Sequence, residues 1–179
     1  MSERAARIAL PLGATLAGLL VLAGGLAVLG YDAGEALGAL WRGAFGSWYA
    51  IGSATLVRAI PLIVIGLGLS VAFRAGALNI GAEGQLIAGA IAATWVGLAT
   101  GNAPAVIAIP AVLIAGALAG AAWVVVPVAL RIRFGVLEVI STLLLNFVAE
   151  SLASYMVQGP LQEARKVYPQ SDPIALAAR

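Results

Sequence analysis

The sequence predicts an all-α membrane protein, a polytopic helical bundle of about five transmembrane helices with one broken or re-entrant segment. Of the 179 residues, 62% are hydrophobic and only 10% are charged, and the mean hydropathy is +1.03, which is more apolar than a soluble domain tolerates. Several apolar runs reach about 20 residues, enough to cross a hydrocarbon core of about 30 Å. The short alternating segments of a membrane β-barrel are not visible in the sequence.

The first predicted span covers residues 8–30, which carry no charge and follow Arg4 and Arg7. Its apolar run is longer than the 7 to 15 residues or so of a cleaved signal peptide. Residues 31–48 then place charged, aliphatic and aromatic side chains at helical spacing, which predicts a helix lying on the outer membrane surface.

Four further apolar runs predict the remaining spans. Each is bounded by arginines, prolines or a turn such as GNAP, and a polar tail follows the last one. Together with residues 8–30 they are interpreted as one transmembrane domain over residues 1–179, with spans at 51–73, 75–101, 105–130 and 134–158 and a tail at 159–179.

The distribution of arginines predicts a multi-pass protein with a cytoplasmic amino terminus, because basic residues are enriched in cytoplasmic loops. In this orientation Arg165 and Lys166 of the tail fall outside, against the rule. The arginines that fall inside are Arg4, Arg7, Arg74, Arg131 and Arg133.

The stretch RAGALNIGAEGQLIAGA, residues 74–90, is unusually rich in glycine and in polar residues for a membrane span. Ionisable groups inside a membrane are costly and mark functional sites by default. We therefore expect a broken or re-entrant helix that offers Asn79, Glu83 and Gln85 to a substrate. Alternatively, Asn79 and Glu83 cap short helix pieces, with Arg74 as a partner for Glu83.

The last span carries a polar residue at every fourth position, and residues four apart are neighbours on a helix. This stripe must therefore face protein or water. Asn146, the deepest, and Glu150 are candidates for a substrate pathway, although a hydrogen bond between helices is equally well supported for Asn146. The stripe consists of Glu138, Thr142, Asn146, Glu150, Ser154 and Gln158.

Cysteine and histidine are both absent, which excludes thiolate and imidazole chemistry and the usual zinc and haem ligand sets. We expect no cofactor, no metal site and no catalytic residue. An intramembrane hydrolase with Ser141 or Ser151 as nucleophile would lack its base, because no histidine exists and no lysine lies in a span. The scattered charges also form no nucleic-acid patch.

Two segments resemble a known family. FRAGALNIGAEGQLIAGA, and GVLEVISTLLLNFVAESLASYMVQGPL followed by YPQS, are similar to permease subunits of bacterial ABC importers for simple sugars and nucleosides, within the branched-chain amino acid and ribose permease group. The resemblance runs from about Ala50 to Ile174, and it covers what looks like the amino-terminal half of such a permease. Leu137 stands where the family more often has a polar residue.

The resemblance implies a transport subunit of the bacterial inner membrane that is not itself an enzyme. Its implied partners are ABC ATPase subunits that hydrolyse ATP, a second permease subunit, an extracytoplasmic substrate-binding protein and membrane lipid, and its implied substrate is a nucleoside or a simple sugar. By position, Asn79, Glu83, Gln85 and Asn146 would line the translocation path. An ion-coupled secondary carrier or channel subunit, in which the glutamates relay protons or sodium, is the alternative.

Overall fold

The computed structural model describes residues 3–101 and 103–175, and within these ranges every regular element is helical. This confirms the predicted fold class. The elements are α1 (Glu3–Val28), α2 (Ala33–Phe45), a π-helical segment (Ala50–Leu56), α3 (Val57–Arg74), α4 (Ala82–Thr100), α5 (Ala105–Trp123), α6 (Val125–Phe134) and α7 (Glu138–Gln158).

Five stretches of the described residues are long and apolar enough to cross a membrane, which agrees with the predicted number. The π-helical segment and α3 form one of them, and α5 and α6 form another. Their bounds are Ala9–Val28, Ala50–Arg74, Ala82–Thr100, Ala105–Phe134 and Glu138–Gln158.

The chain forms two compact units, Met1–Val64 and Ile65–Arg179. In the first unit, α2 begins where the Asp32 carboxylate accepts a hydrogen bond from the Glu35 N–H at 2.8 Å, an N-cap. The Thr55 hydroxyl donates to the Ala44 carbonyl at 2.7 Å and ties the π-helical segment to α2. The predicted position of α2 on the outer membrane surface stays a prediction.

In the second unit, α3 ends in a Schellman turn. The Ala77 N–H donates to the Ala72 carbonyl at 2.9 Å and the Gly76 N–H donates to the Phe73 carbonyl at 3.1 Å. Gly76 has a φ of +80°, which a residue with a Cβ seldom adopts. The chain therefore leaves the helix here, and α4 begins only at Ala82 instead of near residue 75, where the third span was predicted.

Helix α4 is the centre of the second unit and packs against both α5 and α7. It approaches α5 closely at Gly89. A Cβ at this position would lie 2.9 Å from the carbonyl oxygen of Gly116, so only a residue without a side chain fits there. The fourth predicted span is interrupted, since α5 ends at Trp123 and α6 begins at Val125. Pro127 has no N–H to donate to the Trp123 carbonyl, which explains the break.

Candidate functional site

Between α3 and α4 lies a glycine-rich loop, residues 75–81, that follows a membrane-spanning helix but is not itself helical. Backbone groups in an apolar environment need hydrogen-bond partners that lipid cannot supply. Helix α7 supplies them. The Leu78 N–H donates to the Glu138 carboxylate at 2.8 Å, and the Ile80 N–H donates to the Thr142 hydroxyl at 3.2 Å.

Asn146, one turn further along α7, is buried and uses both ends of its side-chain amide. The Asn146 Oδ1 accepts a hydrogen bond from the Gly84 N–H at 2.9 Å, and its Nδ2 donates to the Ile80 carbonyl at 3.0 Å. Gly84 lies in the first turn of α4, where N–H groups have no partner inside the helix. Asn146 therefore caps α4 from a different helix, as the helix–helix alternative for this residue requires. Contact between Asn146 and a substrate stays a prediction.

Asn79 is half-buried at the tip of the glycine-rich loop. Its Oδ1 accepts a hydrogen bond from the Gly81 N–H at 2.8 Å, an Asx turn that leads into α4. The amide nitrogen of the Asn79 side chain makes no hydrogen bond to any described residue. One end of this side chain thus shapes the loop while the other is available to a ligand.

Glu138 connects three elements of the second unit. One carboxylate oxygen accepts from the Leu78 N–H, and the other forms an ion pair with Arg131 near the end of α6. This is the sole ion pair within residues 3–101 and 103–175. An ion pair between Arg74 and Glu83, which belonged to the alternative in which Asn79 and Glu83 cap short helix pieces, is therefore not present in these ranges.

The contact between α4 and α7 is close because Gly84 has no side chain. A Cβ at this position would lie 2.9 Å from the indole nitrogen of Trp123 and 3.0 Å from the Asn146 Oδ1. The buried indole N–H of Trp123 has no hydrogen-bond partner in the described part of the chain. Larger residues at Gly84 would separate the two helices.

A cleft of about 270 Å³ opens beside the glycine-rich loop, between the loop, α6 and α7. The loop, α6 and α7 each contribute a polar side chain to the lining, and the remaining lining residues are apolar. Its volume is close to the lower end of ligand pockets, about 300 Å³. The polar lining consists of Asn79, Arg131, Glu138 and Thr142, and the apolar lining includes Val124, Pro127, Val128 and Ile132.

The predicted pathway residues fall into two groups. Asn79 and Gln85 line a narrow crevice that also contacts Trp123 and Thr142 and that has no room for a water molecule. Glu83 and Glu150, by contrast, have exposed side chains, and neither lines the cleft.

Helical geometry explains why the polar stripe of α7 divides. Side chains four residues apart drift by about 40° around a helix of 3.6 residues per turn. Glu138, Thr142 and Asn146 therefore still face the loop and α4, whereas Glu150 has rotated away and is exposed.

Some residues of the site were not proposed for the pathway from sequence. Glu138 and Thr142 belong to the four-residue stripe, and that spacing was the signal that could have identified them. Arg131 was assigned only to the membrane boundary, and no pattern in the sequence placed Trp123 beside Gly84.

Comparison with known proteins gives a family match over most of the chain. Residues 51–178 match the family described as the branched-chain amino acid transport system, permease component. This range contains the glycine-rich loop, the cleft and α7.

Curated relatives match about nine-tenths of the chain. A glucose ABC transporter permease protein of Haloferax volcanii is 41% identical over 161 residues, 90% of this chain and 42% of the relative. A guanosine ABC transporter permease protein of Bacillus subtilis is 40% identical over 163 residues, 91% of this chain and 46% of the relative.

A nucleoside ABC transporter permease protein of Lactococcus lactis is 33% identical over 163 residues, 91% of this chain and 44% of the relative. The chain thus spans less than half the length of the curated relatives that it matches. No solved structure matches it significantly.

Proposed function

Because the chain belongs to the family of permease components of branched-chain amino acid transport systems, we propose that it forms part of the transmembrane permease subunit of an ATP-driven ABC importer. The proposed substrate is a nucleoside or a simple sugar delivered by an extracytoplasmic binding protein. The names of the relatives, which include glucose, guanosine and nucleoside permeases, support this substrate class.

The observation that carries the proposal is a cleft beside a non-helical loop, with four polar residues in a lining that is otherwise apolar. A hydrophilic solute that crosses a membrane must exchange its water for hydrogen-bonding groups of the protein. Asn79, Arg131 and Glu138 provide amide, guanidinium and carboxylate groups there. Amides and carboxylates bind the vicinal hydroxyls that sugars and nucleosides share.

The predicted pathway residues take different roles in this proposal. Asn79 and Gln85 contact the solute, and Asn146 holds the loop against α7 so that Asn79 keeps its position. Glu83 and Glu150 are exposed, and they would contact the solute where further helices complete the pathway beside α4 and α7. A second permease subunit is one source of such helices.

The other components of the transporter are proposed from the same family. ATP hydrolysis belongs to separate ABC ATPase subunits in this proposal, and the chain itself only moves the solute. The amino terminus lies in the cytoplasm and the protein resides in the cell membrane, an orientation supported by Arg74, Arg131 and Arg133.

Uptake by the complete transporter tests the proposal. Radiolabelled guanosine and glucose would be offered to proteoliposomes that contain permease, ATPase and binding protein, with and without ATP. We expect ATP-dependent uptake of one of the two, reduced about fivefold or more by Asn79→Ala, since a lost hydrogen bond to a solute costs about 1 kcal/mol or more. Ser151→Ala is the matched control, because the Ser151 hydroxyl is exposed and donates only to the Phe147 carbonyl within α7.

The outcomes separate the proposal from its alternative. Normal uptake in Asn79→Ala would contradict the role of the cleft. An ion-coupled carrier would instead show uptake that an ionophore abolishes and that ATP depletion leaves intact. The exposed carboxylates of Glu83 and Glu150 on membrane-spanning helices are the feature that would favour this second function.

A further inference from the structure

The two ends of the cleft beside the glycine-rich loop differ in chemistry. The Leu78 N–H donates to Glu138 at the start of α7, and the Ile80 N–H donates to Thr142 one turn further along that helix. Arg131 lies near the end of α6, which residues 135–137 alone connect to the start of α7. Arg131 and Glu138 therefore mark one end of the cleft, which we call its mouth, and Thr142 lies deeper.

The charged residues of the lining both lie at the mouth. Among the described residues that line the cleft, only Arg131 and Glu138 are charged, whereas Asn79 and Thr142 are polar and neutral. The two charges form an ion pair and cancel each other. The side chain of Arg131 is 55% exposed and that of Glu138 is 19% exposed, so the guanidinium keeps donors that a solute at the mouth could reach.

Arg131 differs in this pairing from the other arginine at the end of α6. Arg133 is exposed and forms no ion pair with any described residue, which is an ordinary state for a basic residue at a membrane boundary. Arg131 instead lines the cleft and has a carboxylate beside it. The pairing is therefore specific to the arginine that a solute in the cleft would contact.

We propose that Glu138 is a specificity-determining residue, which cancels the charge of Arg131 and thereby restricts the cleft to uncharged solutes. The inference rests on the proposed function, since it takes the cleft as a solute site. A guanidinium without a carboxylate partner binds phosphate through charge-assisted, often bidentate hydrogen bonds. With Glu138 in place, a phosphorylated solute would meet a carboxylate of like charge at the mouth, whereas an uncharged nucleoside or sugar would not.

Protection of a single cysteine would measure which solutes enter the cleft. The chain contains no cysteine, and Ala77 lines the cleft. Ala77→Cys in the complete transporter in nanodiscs would be labelled with N-ethylmaleimide, an uncharged reagent, and the labelled permease would be quantified by mass spectrometry. Guanosine and glucose would each be compared with its phosphorylated form, guanosine monophosphate or glucose phosphate.

The expected result depends on Glu138. In Ala77→Cys alone, an excess of guanosine or glucose over its dissociation constant should slow labelling about fivefold or more, and the phosphorylated form should not protect. In Ala77→Cys/Glu138→Gln the phosphorylated form should also protect, at a half-maximal concentration about tenfold or more below that in Ala77→Cys alone. The further change Arg131→Gln should abolish this new protection, because no guanidinium remains at the mouth.

Glu35→Gln is the matched control, since it removes one negative charge from an exposed carboxylate on α2. Protection by the phosphorylated form in this control would show a general effect of net charge and overturn the role of Glu138. Continued exclusion of the phosphorylated form in Glu138→Gln would also overturn it. Loss of protection by every solute in Glu138→Gln would make Glu138 a direct ligand of the solute and contradict charge cancellation as its role.

Uptake distinguishes a failure of this proposal from a failure of the proposed function. If neither uncharged solute protects Ala77→Cys although the transporter shows ATP-dependent uptake, the cleft is not the solute site and the specificity role of Glu138 is overturned. If the unaltered transporter shows no ATP-dependent uptake, the proposed function fails, and the protection of Ala77→Cys still decides whether the cleft excludes phosphate.

Discussion

The two faces of α4 are held in different ways. Against α5 the contact is made by small residues, with Gly89 and Gly116 in backbone contact. Against α7 it is made by hydrogen bonds from polar side chains to backbone groups at the start of α4 and in the glycine-rich loop. Close packing and polar bonds are the two main means by which helices associate where lipid is as apolar as their side chains.

The difference teaches how the polar site is kept in place. A contact of small residues fixes how near two helices lie but tolerates small shifts along their axes. A hydrogen bond has a direction and a narrow distance range, so the contact with α7 fixes the register of the loop. The side of α4 that carries the candidate site is therefore the side that is held by directional hydrogen bonds.

The largest effect is expected from breaking the close contact with α5. In Gly89→Leu the new side chain would overlap the Gly116 carbonyl, and overpacking of this kind costs about 1 to 3 kcal/mol. Denaturation of the purified protein by SDS would measure the loss. Gly68→Leu is the control, since nothing lies within 4 Å of a Cβ there, and an equal loss in both would refute a specific contact.

A somewhat smaller loss is expected from removing the directional contact. Asn146→Ala leaves the Gly84 N–H and the Ile80 carbonyl without partners, and interhelical hydrogen bonds in membranes are worth about 0.6 kcal/mol on average and up to about 1.7. The same denaturation would measure it, beside Ser154→Ala on the exposed part of α7. We expect substrate uptake to fall by a larger factor than this loss of stability alone would cause, because the glycine-rich loop also loses its register against α7.

The ion pair at the edge of the site should contribute least to stability among these contacts. Glu138→Gln keeps an oxygen acceptor for the Leu78 N–H but loses the charge that pairs with Arg131. Arg131 is exposed, so we expect a loss below about 1 kcal/mol. A double-mutant cycle with Arg131→Gln would isolate the pair, and additive losses would show that the pair contributes nothing.

The pH dependence of stability should distinguish the contacts of the Glu163 carboxylate from those of the Asn146 amide. The Gln170 amide, followed by the Tyr168 N–H, lowers the pKa of Glu163 below its ordinary value. Such a carboxylate stabilises the folded segment after α7, residues 159–175, at pH values above its unfolded pKa, and this stabilisation is lost as the pH falls through the lower, folded pKa. The neutral amide of Asn146 does not titrate, so its contact should not change in this range.

Hydrogen exchange at the Tyr168 amide, corrected for the intrinsic rate at each pH, would show the effect as faster exchange in acid. Glu163→Gln should exchange at a rate that no longer depends on pH in this way. Persistence of the acid-dependent exchange in that variant would assign it to another group, such as Asp172.

Much of the fold could be predicted because it depends on local composition. Uncharged runs of about 20 residues predicted the number of spans. The break in the fourth was not predicted, because the sequence indicated only that Pro127 lies near the end of that span. The starting residue of α4 was harder to predict, since Ala77 and Leu78 are as apolar as the residues of a membrane-spanning helix. Only the turn at Gly76 and the partners on α7 decide that these residues are not helical.

The site was predictable in part. Spacing showed that Asn146 had to face protein or water, and glycines around Asn79 indicated a break in the helix. The pairing of these segments could not be read from the sequence, because the bonded atoms of Gly84 and Asn146 belong to residues 62 positions apart. The slow drift of the stripe around the helix leaves Glu150 exposed, so its place in the pathway stays a prediction.

The remote cap on α4 also constrains the order of assembly. Gly84 obtains its partner from a residue that the ribosome adds 62 positions later. At about 5 to 20 residues per second, this leaves the start of α4 uncapped for roughly 3 to 12 s during synthesis. Throughout that interval the insertion machinery or water must satisfy these N–H groups, so the first turn of α4 matures only after α7 has entered the membrane.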